Sequence, residues 1–203
     1  MITAPLQFLR PTKLMRELFV LLALEETSNL SQHQLAKKVG VSSAMSHNYM
    51  KDLIDQGVVS VSGQTNRNMK YVVTAKGTER RVALMGAYSK EIASLYSIAK
   101  QEVERRLWEL HREGLKSVVL FGAAETGELV YSAAKTTPIR ILGFVDNDAT
   151  KHRMLFGKIP VSSPDTIEAY QPDGVLIASS GETDAIYRQL RHLSEKGVSI
   201  VTL

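Results

Sequence analysis

The chain has 203 residues, of which 44% are hydrophobic and 23% are charged, and its formal net charge is +4. This length suits one large or two small domains, and the composition is that of a folded globular protein. The absence of cysteine excludes disulfides and thiolate metal sites. The N-terminus has no signal-peptide pattern, and no apolar run approaches the ~20 residues that span a bilayer, so we expect a cytoplasmic protein without membrane contact.

Positive charge is concentrated in the first part of the chain. Residues 1–116 hold 17 Lys and Arg against 11 Asp and Glu, a balance of +6, whereas residues 117–203 hold 8 against 10, a balance of −2. A polyanion such as double-stranded DNA is the kind of partner that this asymmetry favours.

Three helices are predicted at the start of the chain. Helical periodicity runs over residues 13–26, Ser31 then caps a short helix that Gly40 ends, and Ser42 caps a third helix running to Gln56. A helix, a tight glycine turn and a second capped helix form the helix-turn-helix pattern, whose second helix enters the DNA major groove.

A predicted β-hairpin follows the third helix. Residues 58–62 alternate like a strand, residues 63–68 form a polar turn, and residues 70–74 form a second strand. A hairpin in this place is a wing, so residues 1–77 are predicted to be a winged helix-turn-helix domain.

This stretch resembles the MarR-type winged-helix transcriptional regulators. The resemblance is carried by Leu35-Ala36, by the helix ending at Gly57 and by the segment Tyr71-Val-Val-Thr-Ala-Lys-Gly77. Within that group it is most similar to regulators associated with exopolysaccharide gene clusters, through Ser31-Gln32 and Gly40-Val-Ser42. The resemblance implies a regulator that binds double-stranded DNA.

Candidate DNA contacts follow from helix geometry. If Met50 and Leu53 face the core, the third helix directs four polar side chains outward, two suited to base edges (His47 and Asn48) and two suited to phosphates (Ser43 and Lys51). On the wing, Arg67 and Lys70 are expected to follow the phosphate backbone or enter the minor groove.

A long helical pattern connects this domain to the rest of the chain. From Thr78 to Arg112 there is no proline, and Gly86 alone interrupts a continuous apolar stripe, so one helix or two meeting near Gly86 are predicted. We expect residues 78–115 to pack against the flanking domains and also to pair with the same helix of a second subunit, giving a homodimer.

The remainder, residues 116–203, alternates strands with helices. Predicted strands over residues 116–121, 139–145, 174–178 and 198–203 are separated by helical stretches. This order predicts an α/β fold with a Rossmann-like parallel sheet that has helices on both faces.

The first βα connection reads as a phosphate-binding turn. Gly122 and Gly127 flank the segment Ala123-Ala-Glu-Thr126, and Asp146 ends the next strand 24 residues after Gly122, where an acidic side chain accepts hydrogen bonds from a ribose. The predicted pocket comprises Gly122, Ala123, Ala124, Thr126, Gly127, Asp146, Ser179 and Ser180. Ala124 replaces the middle glycine of the dinucleotide motif, which favours a phosphate or nucleotide ligand over a full dinucleotide.

Residues 117–203 resemble the nucleotide-binding domain of bacterial polysaccharide-biosynthesis nucleotide-sugar dehydratases. The match is carried by Phe121–Gly127, Leu142–Asp148 and Phe156–Val161. It implies a nucleotide-type ligand such as NAD(H) or a nucleotide-sugar; coenzyme A is also open.

Together these patterns predict a DNA-binding transcriptional regulator that senses a nucleotide-like effector and controls surface polysaccharide genes. No catalytic set and no metal site is predicted. Two alternatives remain: an NAD-dependent nucleotide-sugar enzyme with a regulatory head, and a DNA-binding scaffold whose second domain recruits a protein partner.

Overall fold

The computed structural model describes residues 11–27, 30–63, 69–179 and 181–203. The chain forms two compact units, Met1–Ala93 and Ser94–Leu203. A long helix, α4 (Ala75–Arg112), contributes residues to both. It is continuous through Gly86, so the alternative of two helices is wrong.

The first unit contains three helices and a hairpin. The helices are α1 (Lys13–Glu26), α2 (Gln32–Val39) and α3 (Ser43–Asp55), and the hairpin strands are β1 (Val59–Ser62) and β2 (Lys70–Val73), paired antiparallel. Together they are the winged helix-turn-helix arrangement expected from the sequence.

Local hydrogen bonds explain where these helices begin and end. The Ser31 side chain accepts from the backbone N–H of Gln34, whose side chain in turn accepts from the Ser31 backbone, which forms a capping box. Ser42 caps α3 through the N–H of Met45. Between them Gly40 adopts φ +73°, the left-handed conformation that permits the tight turn.

The core of the first unit collects apolar side chains from every one of its elements. Leu18 and Leu21 come from α1, Leu35 from α2, Met50 and Leu53 from α3, Tyr71 from β2 and Leu84 from α4. An ion pair lies at the edge of this core. The buried carboxylate of Glu17 on α1 accepts two hydrogen bonds from the Arg80 guanidinium, at 2.7 and 3.1 Å.

Replacing Glu17 by alanine is expected to destabilise the first unit by about 2 kcal/mol. The Arg80 charge then loses its partner, and its partial exposure to water keeps the loss below that of a fully buried ion pair. Hydrogen exchange of α1 peptides measures this loss of stability, and we expect the protection of their backbone amides to fall roughly 30-fold. Lys13→Ala is the matched control, since it removes an ion pair between two exposed side chains. Equal loss of protection in both variants contradicts the assignment.

The second unit is an α/β fold with a six-stranded sheet. Its strands are β3 (Ser117–Phe121), β4 (Arg140–Val145), β5 (Leu155–Phe156), β6 (Ile159–Ser162), β7 (Gly174–Ile177) and β8 (Ser199–Thr202). The order across the sheet is β5-β6-β4-β3-β7-β8. All pairings are parallel except that of β5 with β6, so the sheet is mixed rather than purely parallel. Only two residues connect β5 to β6, too few for a crossover.

Helices cover both faces of this sheet. Val118 and Leu120 of β3 pack with Leu107 of α4 and Val130 of α5 (Glu125–Ala134). On the other face, Val119 and Phe121 pack with side chains of α6 (Thr183–Ser194) and of a 3-10 segment, Pro164–Tyr170. β3 is therefore central, and the chain passes to β4 on one side of it and to β7 on the other, which opens a crevice at the carboxyl end of β3.

Candidate nucleic-acid interface and nucleotide pocket

The third helix presents a polar face opposite its buried one. Ser46, Met50 and Leu53 are buried in the first unit. The side chains predicted to contact DNA lie on the exposed face of the same helix: Ser43, His47, Asn48 and Lys51. An amide, an imidazole, a hydroxyl and an ammonium group thus lie along one side of α3, as base-edge and phosphate contacts require.

An acidic residue of α3 is neutralised by α1. Lys13 Nζ lies 3.1 Å from Asp52 Oδ2, and this hydrogen bond together with the carboxylate charge raises the pKa of Lys13. Asp52 therefore opposes a polyanion less than its charge alone suggests, and Asp55 is the other exposed carboxylate on the helix.

Gln32, the first residue of α2, connects the third helix to the wing. Its side-chain amide donates to the Tyr71 hydroxyl at 2.9 Å, and its Oε1 lies 3.4 Å from His47 Nδ1. Sequence patterns do not indicate this role, because Gln32 and Tyr71 are 39 positions apart and neither has a recognisable spacing. On the wing itself Lys70 is exposed and pairs with Ser62, while Arg67 lies outside the described residues.

The turn after β3 is tightly packed around two glycines. Gly122 has φ +115°, and a Cβ on it would lie 2.7 Å from the carbonyl oxygen of Ala178. A Cβ on Gly127 would lie 2.2 Å from the carbonyl oxygen of Gly122. The N-terminus of α5 is therefore pressed against the end of β3, which is the role of the last glycine in a nucleotide-binding turn.

The first turn of α5 is open to an anion but flanked by acids. Its N-cap residue, Ala124, is exposed and supplies no side-chain hydrogen bond, and Thr126 is half-buried. Helix N-termini attract phosphate groups through free N–H groups and the helix dipole. Glu125 and Glu128 occupy the same turn and are exposed, so they oppose a ligand of high negative charge.

Asp146 is already engaged by its own chain. Its Oδ2 accepts from the Ala123 N–H at 2.8 Å and from Lys151 Nζ at 2.9 Å, while its Oδ1 accepts from the Asp148 N–H at 2.9 Å. Burial raises the pKa of Asp146, but these hydrogen bonds and the Lys151 charge outweigh burial and leave that pKa below its ordinary value. Asp146 is thus a fixed carboxylate acceptor, suited to binding and not to donating a proton.

The opposite side of the crevice is formed by the end of β7 and the start of α6. Ser179 is half-buried, and its carbonyl oxygen accepts from the Thr183 hydroxyl at 2.7 Å. Ser180, the other residue predicted here, lies outside the described residues. The strands β4, β3 and β7 are adjacent in the sheet. The glycine turn follows β3, Asp146 follows β4, and Ser179 follows β7. The fold therefore brings these predicted pocket residues to one edge of the sheet.

Metal-binding clusters and membrane-spanning helices are both absent from the described residues. No cluster of three or more His, Asp or Glu that could hold a metal ion occurs in the described part of the chain. None of the described helices is long and apolar enough to cross a membrane.

Comparison with family models gives two matches. The model described as C-methyltransferase C-terminal domain matches residues 58–203, and the model described as winged helix-turn-helix DNA-binding matches residues 20–60. The first unit is therefore a winged helix-turn-helix DNA-binding domain. No curated protein matches the chain.

Similar solved structures cover one or both units. UDP-D-quinovosamine 4-dehydrogenase from Vibrio fischeri is 20% identical over 44% of this chain and 79% of its own, with a TM-score of 0.39. A MarR family transcriptional regulator from Silicibacter pomeroyi is 22% identical over 40% of this chain and 56% of its own, with a TM-score of 0.35. RSP in complex with beta-NADH is 13% identical over 94% of this chain and 84% of its own, with a TM-score of 0.37.

Proposed function

We propose that this chain, which belongs to the C-methyltransferase C-terminal domain family, is a homodimeric transcriptional regulator whose second unit binds a nucleotide-type effector. The observation that carries the proposal is the exposed polar face of α3. In this proposal Asn48 and His47 contact base edges, and Ser43 and Lys51 contact phosphates. Arg67 and Lys70 of the wing follow the adjacent backbone. Surface polysaccharide genes are the proposed targets, on the sequence resemblance alone.

The phosphate contacts are tested by the salt dependence of binding. Each lysine that neutralises one phosphate contributes about one unit to the slope of log K against log salt concentration. Lys51→Ala and Lys70→Ala are each expected to reduce that slope by about 2, because the substitution is present in both chains of the dimer, and to weaken binding to all duplexes alike. Fluorescence anisotropy with a labelled 30-base-pair duplex measures it.

Lys100→Ala is the control for this titration. That lysine forms an ion pair with Glu104 on α4, away from α3 and the wing along the chain. An unchanged slope is expected for it. If all three variants give the wild-type slope, the proposed interface is wrong.

The proposed dimer forms through α4. Four large apolar side chains in the middle of this helix are between 39% and 63% exposed: Ile92, Leu95, Tyr96 and Ile98. Contiguous exposed apolar surface of this kind is typical of interaction sites. A two-fold partner also suits the DNA-binding role, because paired recognition helices read the two halves of a palindromic operator.

The effector proposed for the second unit is NAD(H), a nucleotide-sugar or coenzyme A. It would place a phosphate at the N-terminus of α5 and a ribose against Asp146, with Ser179 and Ser180 on the opposite side. Support comes from the packing of Gly127 on Gly122 and from the position of Asp146 beside that turn. Because Lys151 occupies Asp146 Oδ2, a ribose hydroxyl must share or displace that ion pair.

A thermal-shift screen with NADH, UDP-glucose and coenzyme A tests the effector. A bound nucleotide is expected to raise the melting temperature, and Asp146→Ala is expected to abolish the shift. Asp173→Ala is the control: this carboxylate also accepts backbone and side-chain hydrogen bonds, but at the start of β3, so the shift is retained. A shift unaffected by Asp146→Ala rejects the pocket, and no shift with any nucleotide favours the scaffold alternative.

A second candidate function is favoured by the match to the C-methyltransferase C-terminal domain family, whose name indicates C-methyl transfer. In that case the second unit would serve an enzyme, with S-adenosylmethionine as the methyl donor. Adding this compound to the same screen separates the two candidates. A shift with S-adenosylmethionine alone supports a methyltransferase role, and turnover of a nucleotide-sugar supports a nucleotide-sugar enzyme.

A further inference from the structure

A hydrogen-bond chain through Gln32 fixes the orientation of that side chain. Gln32 Nε2 donates to the Tyr71 hydroxyl at 2.9 Å, and the hydroxyl donates to Met69 Sδ at 3.0 Å. Because the phenolic proton is directed at sulfur, the phenolic oxygen acts as an acceptor toward the amide. The amide nitrogen of Gln32 is thereby committed to Tyr71, and its oxygen is left for His47.

This orientation determines where His47 carries its proton. His47 Nδ1 lies 3.4 Å from Gln32 Oε1. A carbonyl oxygen only accepts hydrogen bonds, so Nδ1 must be the protonated nitrogen of the ring. In a neutral imidazole the other nitrogen, Nε2, then carries a lone pair and no hydrogen. His47 is exposed on α3, so this lone pair is available to a partner.

We propose that Gln32 is a specificity-determining residue that makes His47 a hydrogen-bond acceptor for an amino group of a DNA base. In the major groove adenine N6 and cytosine N4 are donors, whereas guanine and thymine present acceptors at O6, N7 and O4. The fixed tautomer selects adenine or cytosine at the position that His47 contacts and rejects guanine and thymine. The inference rests on the proposed function, because it requires α3 to enter the major groove.

Burial holds this arrangement in place. Tyr71 is only 4% exposed and packs in the core of the first unit. Ser46, which precedes His47, is fully buried, and its hydroxyl donates to the backbone carbonyl of Gln32 at 3.4 Å. Gln32 therefore contacts α3 through its backbone and side chain and β2 through its side chain, so the wing and the recognition helix position His47 together.

The test uses the full chain and a duplex enriched from a random 30-base-pair library. The contacted position is the base pair whose substitution no longer matters in His47→Ala. There, adenine is replaced by purine, or cytosine by 2-pyrimidinone, each of which lacks the amino group. At pH 8 the wild type is expected to bind the modified duplex about 2- to 10-fold more weakly, the range of one net hydrogen bond.

Variants distinguish Gln32 from its neighbours. Gln32→Leu and, as a second variant that keeps the aromatic ring, Tyr71→Phe are expected to bind modified and unmodified duplexes equally. His33→Ala, an exposed neighbour on α2, is expected to keep the wild-type difference. Equal binding of the modified and unmodified duplexes by the wild type, or a wild-type difference in both Gln32→Leu and Tyr71→Phe, overturns the inference. Failure to enrich any duplex overturns the proposed function as well.

Discussion

Replacing Gly127 by alanine is expected to lower the free energy of unfolding of the second unit by about 3 kcal/mol or more. Alanine is a better helix former than glycine by about 1 kcal/mol, so propensity alone predicts stabilisation. Packing instead makes the substitution destabilising, because the new Cβ would lie 2.2 Å from the Gly122 carbonyl oxygen. Relief of that overlap requires α5 to move away from β3.

Urea unfolding followed by Trp108 fluorescence measures this loss, since Trp108 is the single tryptophan and lies in the second unit. Gly86→Ala is the matched control: it makes the same substitution inside a helix, but a Cβ there meets nothing within 4 Å. This control is expected to stabilise α4 by roughly 0.5–1 kcal/mol. Equal effects of the two substitutions contradict the packing assigned to the turn. The steric overlap also makes Gly127 unsuitable for testing ligand binding by substitution.

Replacing Leu95 by glutamate is expected to dissociate the proposed dimer and to weaken operator binding by about 100-fold or more. A charge placed in the apolar stripe of α4 must be desolvated when two helices pair. Without pairing, the second half-site is no longer bound intramolecularly, and that gain is typically 10²–10⁴. Analytical ultracentrifugation measures the mass, and anisotropy measures the affinity.

Ser97→Glu is the control for the dimer prediction. Ser97 is exposed on the same helix, and at ~100° per residue it lies roughly 100° or more around the helix from each of the four apolar side chains of the proposed interface. The introduced charge is the same, but the apolar stripe is preserved, so dimer mass and affinity are expected to remain. A monomeric wild type, or a dimeric Leu95→Glu variant, rejects α4 as the interface.

Local signals account for most of what the sequence predicts correctly. The capped ends of α2 and α3 depend on side chains within three residues of the cap, and the periodicity of α1 predicts its bounds, Lys13–Glu26. The continuity of α4 through Gly86 follows from the cooperativity of a long helix, which outweighs the ~1 kcal/mol cost of one glycine.

Long-range and loop-dependent contacts are what the sequence does not reveal. The bond between Gln32 and Tyr71 joins residues 39 positions apart. The bond from Ala123 to Asp146 and the ion pair between Asp146 and Lys151 depend on the path of the chain after β4. For this reason the sequence predicts Asp146 as a ribose acceptor but does not reveal that its carboxylate already accepts from three donors of its own chain.

These contacts change how the second unit is expected to work. Asp146 connects the turn after β3 to the loop after β4, since its two oxygens accept from Ala123 on one and Asp148 on the other. A ligand that displaces Lys151 from Asp146 would alter both segments at once.

In the proposed function, two copies of this chain bind a palindromic DNA sequence through α3. Enrichment from a random duplex library, followed by measurement of the mass of the complex on the enriched duplex, tests this proposal. We expect an inverted repeat with half-sites about one helical turn apart, bound by two chains. Enrichment of no sequence, or a single chain bound without an inverted repeat, would contradict it.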